Sequence, residues 1–438
     1  MQLEKKIRIA VLGCGGRGMF AYAPYLKDFD NVEIVAAAEP IEERLIRFAR
    51  DYHLSPDQCY RTAEEFYEKP RMADVVFICT QDQQHYDHAM SALRLGYDIL
   101  LEKPVSNRPE YCIAIANEAK RLGRVVLVCH VLRYTPFYQK IKELITGGRI
   151  GQVISLHQFE NVGYWHFAHS FVRGLWNNSD ETSPMILAKC CHDLDIILWL
   201  MGQDCRRVSS FGSLMTFMEQ NAPEGCTGRC IDGCAIQDSC PYDALKIYLT
   251  GKQGLEQLHG GWPVTAVVLE PDREKLMEAL ETGPYGRCVY HCNNNVVDHQ
   301  VVNMEFMDGV TASLTMCGFT AEVTREIKIM GTLGEINGDM DRNVITVKRF
   351  GEEEDVIDVT KLTTDLSGHG GGENRLLRDL FHMVEGVGSA NTALTSIDKS
   401  VQSHIMAFAA ERSRLENGRP VDLDEIYREC NAPNTLAI

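Results

Sequence analysis

The sequence predicts an α/β chain, with a doubly wound parallel sheet first and then an α+β part on a large, mostly antiparallel open sheet. Two observations carry this. Over residues 6–129, short apolar strands (KIRIAVLG, VEIVAAAE, DVVFICT, DILLEK, RVVLVCH) alternate with helix-like stretches such as IEERLIRFARDYH and QHYDHAMSALRLG. Strands that are apolar on both faces are covered on both faces, and strand–helix alternation makes neighbouring strands parallel. After His130 the pattern changes to longer strands, VISLHQFENVGY, DHQVVNMEFM, VTASLTMCG, REIKIMGT and NVITVKRF, with hairpin breaks at Asp308-Gly309 and Gly331–Gly334.

The helical stretches follow from the same reading. Pro24 falls early in the first helix and should weaken or bend it, because proline lacks the donor a helix interior needs. PFYQKIKELITGG leads into the second sheet, and CCHDLDIILWLMG reads as a helix across it. Ile397, Val401, Ile405, Phe408 and Arg412 keep helical spacing, with Thr395 and Asp398 as a capping pair and Gly418 and Pro420 as the stop. The expected organisation is residues 1–130, residues 131–372 with a Cys-rich insertion around 205–295, and C-terminal helices over 373–438.

Composition limits the partners. The formal charge is −17. Nucleic acid and anionic membranes need clustered Lys and Arg, so neither is expected. The start, MQLEKKIRIAVLG, passes straight from charges into a strand with no cleavage site, and no apolar run approaches the about 20 residues of a membrane span. A cytoplasmic homodimer or homotetramer is expected, and the charge is compatible with a small neutral ligand held in a local site.

Gly13-Cys14-Gly15-Gly16-Arg17-Gly18 follows the first strand and opens a helix, and Glu39 ends the second strand 21 residues after Gly18. That context makes the glycine pattern a dinucleotide fingerprint on a Rossmann-type fold. Gly13 permits the turn, Gly15 and Gly16 admit the pyrophosphate beside Arg17, and Gly18 lets helix and strand pack. Glu39 can accept bonds from the adenosine ribose and would repel a 2′-phosphate, which favours NAD. Glu102-Lys103-Pro104 ends the strand DILLEK, on the edge where open α/β sheets bind ligands. A lysine there can bond a substrate hydroxyl and assist its proton loss; position alone leaves a surface lysine equally open.

With these motifs the chain resembles the Gfo/Idh/MocA oxidoreductases, the group named for glucose-fructose oxidoreductase and inositol dehydrogenase. Gly13–Gly18, the Thr80–His85 turn, Glu102-Lys103-Pro104 and His192-Asp193-Leu194-Asp195 fall in family order over most of the chain. The resemblance implies that Lys103 and His192 work beside the nicotinamide, that Thr80, His85 and Glu102 belong to the cofactor site, and that a sugar or cyclitol hydroxyl is oxidised. One position departs. Many members carry an Asp four residues before the histidine, where this chain has Ala188, followed by Lys189. Either Lys189 takes over part of that polar role, or His192 works with a different helper.

Two further segments look like site material. Tyr164-Trp165-His166-Phe167-Ala168-His169 continues to Arg173, and its aromatic faces and polar tips suit a sugar ring; a loop of core histidines is the plainer alternative. Gly368-His369-Gly370-Gly371-Gly372-Glu373 brings backbone close to something just before a helix, or is a glycine hinge. Their histidines, His166, His169 and His369, are further acid–base candidates, and the two segments are expected to converge over the cofactor. Cys226-x3-Cys230-x3-Cys234-x5-Cys240-Pro offers four thiols for one structural zinc. The spacing matches no ferredoxin run, Cys288 and Cys292 could replace a ligand, and free thiols remain the alternative. Three functions fit: a sugar or cyclitol dehydrogenase, a glycosidase that uses bound NAD transiently, and an NAD- or sugar-sensing protein. Fold does not choose among them.

Overall fold

The computed structural model describes residues 6–258, 261–386 and 394–432. The charged start, residues 1–5, and the end of the expected C-terminal region, 433–438, lie outside the described residues. Strands β1 (Ile7–Leu12), β2 (Val32–Ala38), β3 (Cys59–Tyr60), β4 (Val75–Ile78), β5 (Asp98–Leu101) and β6 (Val126–Val128) form one parallel sheet. Their order is β3-β2-β1-β4-β5-β6. Every residue of β4 and β6 is buried, which is why these strands read as unbroken apolar runs. The strand order reverses beside β1, and that reversal opens a crevice at the carboxyl ends of β1 and β4.

The segment after β1 is not a regular α-helix. It winds wide over Gly16–Tyr22 and then tight over Ala23–Asp28, with Pro24 in the first turn of the tight part. The break is where proline, lacking an N–H, cannot continue the wide turn.

The second sheet holds nine strands, β7 (Val153–Asn161), β8 (Cys205–Ser213), β9 (His299–Phe306), β10 (Thr311–Cys317), β11 (Thr324–Gly331), β12 (Gly334–Asp339), β13 (Val344–Arg349), β14 (Asp355–Asp358) and β15 (Val421–Asp422). The order is β14-β13-β12-β11-β7-β10-β9-β8-β15. The β7–β10 pair is parallel and the other described pairs are antiparallel. β8 corrects the sequence reading, which placed residues from 205 onward in an insertion. Its inward residues are Cys205, Val208 and Ser210, and the buried Ser210 hydroxyl accepts from Gln300 (3.0 Å). Its outward Phe211 is exposed, so the alternation is inverted there and hides the strand. The irregular excursion therefore runs over 214–298.

The helix Cys191–Met201 lies across the inner face of the large sheet, buried along nearly its whole length. Leu376, Leu377, Leu380 and Phe381 of the helix Gly372–Val384 pack with Ile9, Val11 and Phe77 of the parallel sheet. The helix Ile397–Leu415 is capped differently from expectation. Ser396 is its N-cap without a side-chain bond, while Thr395 is drawn away to within 3.3 Å of the Tyr134 hydroxyl.

One buried ion pair joins the two sheets' territories. Arg133, just beyond β6, donates Nε and Nη2 to the two carboxylate oxygens of Asp195, at 2.6 Å each, and Nη1 to the carbonyl of Leu394. Burial opposes charge on Asp195, but Arg133 and then His130 outweigh it and hold the carboxyl down at about 2. Asp195→Ala would leave Arg133 buried without its anion, and we expect it to cost about 3–5 kcal/mol of stability. Urea unfolding reads this; a loss under about 1 kcal/mol would contradict the role of the pair.

Candidate functional site

Gly13 has a φ of +91°, and a Cβ there would stand 2.5 Å from the carbonyl of Cys79 at the end of β4. A Cβ on Gly18 would stand 2.2 Å from the carbonyl of Gly13. These two glycines let the turn close. Above Gly16 there is open space, and the nearest atom to a Cβ on Gly15 would be Arg44 Nη1 at 3.7 Å. The turn thus presents bare backbone, as a pyrophosphate cradle requires. Glu39 is buried at the end of β2 and accepts from the N–H of Cys14 (2.8 Å) and of Ile41 (3.1 Å). A carboxylate has about four lone-pair sites, so two remain for a ribose. The residues fit the adenosine half of a dinucleotide. Arg44 was missed in the sequence; it is an ordinary basic residue of a surface helix until the fold sets it over Gly15.

Several expected cofactor contacts are used inside the protein. Arg17 turns inward, donating Nε to Glu102 (2.6 Å) and Nη2 to the Tyr22 hydroxyl (2.7 Å), with Nη1 3.5 Å from Glu373. Tyr22 also donates to Glu102, and so does the N–H of Lys103, at 3.0 Å. Burial opposes the charge of Glu102, yet Arg17 and Lys103 outweigh it and hold its carboxyl below the usual range. His85 is buried between the carbonyls of Pro104 (2.7 Å) and Thr80 (3.1 Å), and Thr80 Oγ1 meets His88 at 3.0 Å. So Arg17, Glu102, His85 and the Thr80 side chain are paired within the protein and shape the rim.

Across the crevice stands the start of the helix Cys191–Met201. Lys103 Nζ donates to the carbonyl of Ala188 at 2.8 Å. The position that lacks the expected carboxylate therefore still holds the lysine, through its backbone oxygen. His192 is buried; burial first, and then the charge of Lys103, push its imidazole well below the usual histidine range. Its Nδ1 has no hydrogen-bond partner among the described residues. The His369 ring lies 6.1 Å from that of His192, and His369 Nδ1 lies 2.5 Å from Glu373 Oε1. Gly368 at φ +56° makes this possible, since a Cβ there would stand 2.8 Å from the Glu373 carboxylate.

The floor comes from the large sheet. Alternation along β7 turns Leu156, Gln158 and Glu160 inward. Arg325 of β11 is the register partner of Glu160 and meets its carboxylate at 2.6 Å, and its Nε donates to Asp193 at 2.9 Å. Lys189 Nζ lies 3.3 Å from Glu160. Burial and the neighbouring Arg325 and Lys103 lower the Lys189 ammonium, against the pull of Glu160. Burial, with Glu160 adding to it, raises Asp193 to about 6 although Arg325 works against it. Glu160 and Arg325 were not among the expected site residues. Their signal was present, as polar residues at inward strand positions, where a core would be apolar.

The segment from Tyr164 supplies one wall. His166 is pushed well below the usual histidine range by burial and then by Lys189, and its Nδ1 also has no partner among the described residues. Trp165 and His166 lie against Trp262, at ring distances of 5.3 and 4.9 Å. Tyr164 turns aside toward Tyr242, at 6.3 Å. His169 sits one layer out, meeting the Tyr248 hydroxyl at 3.0 Å and stacking on Tyr285. Arg173, expected at the substrate, points instead into the Cys-rich excursion, donating to the carbonyls of Arg287 and Tyr242 at 2.7 Å each. A buried guanidinium needs such carbonyls, and the excursion offers them. The structure thus groups Lys103, His192, His369, His166 and Lys189, while Tyr164, His169 and Arg173 are paired with Tyr242, Tyr248 and the carbonyls of the excursion.

The four-cysteine metal set is corrected. Among the described residues Cys226 is grouped with Cys288 and His291, while Cys230, Cys234 and Cys240 line an adjoining cavity of about 10 Å³ together with Cys288. The chain from 226 to 240 is a string of tight turns, and 286–288 pairs into it from far along the sequence.

Residues 7–130 match the family model of an oxidoreductase family with an NAD-binding Rossmann fold, and residues 142–423 match its C-terminal alpha/beta domain. YteT of Bacillus subtilis (strain 168) is 26% identical over 70% of this chain and 72% of its own. Inositol 2-dehydrogenase 2 of Saccharopolyspora erythraea is 27% identical over 45% of this chain and 55% of its own, so this chain spans about half of that relative. D-glucoside 3-dehydrogenase of Escherichia coli (strain K12) is 26% identical over 34% and 41%. The oxidoreductase from Agrobacterium radiobacter solved with NAD+, L-tartaric acid and magnesium superposes with a TM-score of 0.68 at 15% identity, covering 96% of this chain and 100% of the other. The last likeness concerns the fold. No helix among the described residues is long and apolar enough to cross a membrane.

The buried histidines make stability pH-dependent. His404 accepts from the N–H of Val105 through Nε2 and donates Nδ1–H to the carbonyl of Ser400, a neutral arrangement. Burial holds His404 and His169 down at about 3, helped by His130 and Arg173 respectively. Unfolded, each titrates near ~6.5. Their contribution is whole above that pH and is lost as the pH falls toward 3, at up to about 1.4 kcal/mol per pH unit each. Asp193 offsets part of one between about 6 and its unfolded value. The urea midpoint is expected to be lower at pH 5 than at pH 7; equal midpoints would contradict neutral burial.

Proposed function

The chain belongs to the Gfo/Idh/MocA family of oxidoreductases, with its NAD-binding Rossmann fold, and from that premise we propose that it oxidises one secondary hydroxyl of a sugar, glycoside or cyclitol. The observation that carries this is the pair of buried imidazole nitrogens without partners, His192 Nδ1 and His166 Nδ1, in the pocket that holds Lys103 and Lys189. Buried polar atoms are almost always paired, so these await a polar ligand. The names of the inositol and glucoside dehydrogenases among its relatives agree with a polyhydroxylated one.

Bound NAD supplies the hydride acceptor. The chain's residues do the rest. Lys103, steered by the Ala188 carbonyl, donates a hydrogen bond to the reacting hydroxyl and lowers its cost of deprotonation. His192, neutral at working pH, accepts the proton. His166, Lys189 and the Trp165–Trp262 wall orient the ring. Glu39 favours NAD by repelling a 2′-phosphate, against the opposite pull of Arg44. The exposed apolar residues Ile154, Phe159, Phe211 and Val301 on the outer face of the large sheet suit a homo-oligomer contact.

One observation favours a second reading. The half-exposed His369 on Glu373 is an acid–base pair beyond the two that oxidation needs, and a glycosidase working through transient oxidation would use it. Turnover on a panel of glycosides and cyclitols separates the readings. NADH accumulating without sugar release means a dehydrogenase. Aglycone release with no net NADH means the glycosidase, and binding with no turnover means a sensor.

Lys103→Ala and His192→Ala should each lower kcat by about 10²-fold or more while NAD affinity stays within about threefold, since the glycine turn is untouched. Near-normal turnover in both would overturn the assignment. Isothermal titration should give a lower Kd for NAD than for NADP, and Glu39→Gln should narrow the gap. An NADP preference in the unaltered protein would contradict the role of Glu39.

A further inference from the structure

We infer that the Cys-rich excursion carries a structural zinc site whose ligands are Cys226, Cys288 and His291, with a fourth thiolate from the adjoining cavity. Two observations converge on it, the grouping of the side chains and the pairing of the backbone. The ligand atoms of these three residues all lie within 4.8 Å of one another. Cys226 Sγ is 3.6 Å from His291 Nε2. In a tetrahedral site with Zn–S of about 2.3 Å and Zn–N of about 2.0–2.1 Å, the S···N edge is about 3.5 Å. A thiol–imidazole hydrogen bond has the same spacing; the third ligand atom, Cys288 Sγ, within 4.8 Å of both is what makes the group a metal-sized cluster.

The backbone builds the same point from two distant segments. Arg229 and Arg287 form an isolated antiparallel bridge. Cys230 N–H donates to the Gly286 carbonyl and Cys288 N–H to the Gly228 carbonyl, each at 3.0 Å. That two-rung ladder sets Cys288 opposite Gly228 and brings Cys226, two residues before Gly228, to the same end of the pairing. The tight helix Val289–His291 follows at once. At about three residues per turn it eclipses positions three apart, so Cys288 and His291 face the same way. The Cys-x2-His spacing is a metal-ligand spacing lying 62 residues from Cys226, beyond the reach of any local pattern. The fourth place falls to the neighbouring cavity, where Cys230, Cys234 and Cys240 line the wall with Cys288.

The site would clip together a region that has little regular structure. Arg173, at the end of the wall that carries His166 and His169, hangs from the carbonyl of Arg287, next to the ligand Cys288. The metal therefore fixes the wall of the pocket from outside and takes no part in the chemistry.

The test uses the full chain, purified after growth with zinc and then freed of loosely held metal by gel filtration. Elemental analysis should give about one zinc per chain. His291→Asn and Cys226→Ser should each fall below about a fifth of that. Serine at Cys230, Cys234 and Cys240 in turn identifies the fourth ligand, and Cys59→Ser in the parallel-sheet region should keep the metal. His291 is exposed, so its substitution costs little packing and separates ligand loss from misfolding. As a second readout, cobalt replacing the zinc should give the intense visible bands of tetrahedral thiolate coordination, and these should weaken in His291→Asn. A zinc-free wild type with Cys226 and Cys288 freely alkylated or joined in a disulfide would overturn the site. So would iron with acid-labile sulfide, or one zinc retained in both His291→Asn and Cys226→Ser.

Discussion

The carboxylate of Glu102 is the interaction on which the site depends. It is buried, and it gathers Arg17 from the glycine turn, Tyr22 from the broken helix behind it and the N–H of Lys103 beside it. Through Arg17 it reaches Glu373, which in turn holds His369. The glycine turn, Lys103 and His369 are thus set by one charge network. A buried charge of this kind is tolerable only when fully paired. That is why Arg17 turns inward from the glycine turn, which offers its backbone.

The opposite half of the pocket solves a different problem. Where a carboxylate was expected beside Lys103, Ala188 presents its carbonyl. The negative charge of this half lies on the floor, where Glu160 and Asp193 share Arg325 and Lys189. Two carboxyls so close cannot both stay easily ionised, and Asp193 is the one pushed up. The neutral state of His192 follows from the same setting, since Lys103 and burial both oppose its charge. Burial, Lys103, His130 and Arg325 keep the imidazole neutral.

Much of this was legible in the sequence because it rests on local patterns. The parallel sheet showed in its uninterrupted apolar strands, the glycine turn in its spacing, and Lys103 and His192 in motifs that keep their order. What stayed hidden rests on pairing between distant residues. Glu160 and Arg325 are 165 positions apart and meet only through strand register. β8 was hidden because Ser210 sits where an apolar residue would mark the inside. Arg173 looked like a ligand residue from its aromatic neighbours, yet its environment is set by carbonyls of the excursion more than sixty residues onward. The four cysteines were counted along one segment, and the fold drew a partner histidine from another.

The most direct measurement of the central claim is isotope transfer. A cyclitol or glycoside that turns over, deuterated at the reacting carbon, is mixed with the protein loaded with NAD, and the recovered cofactor is weighed by mass spectrometry. The account predicts a cofactor heavier by one deuterium, with transfer suppressed in Lys103→Ala and His192→Ala. Unlabelled cofactor alongside consumed substrate would contradict it.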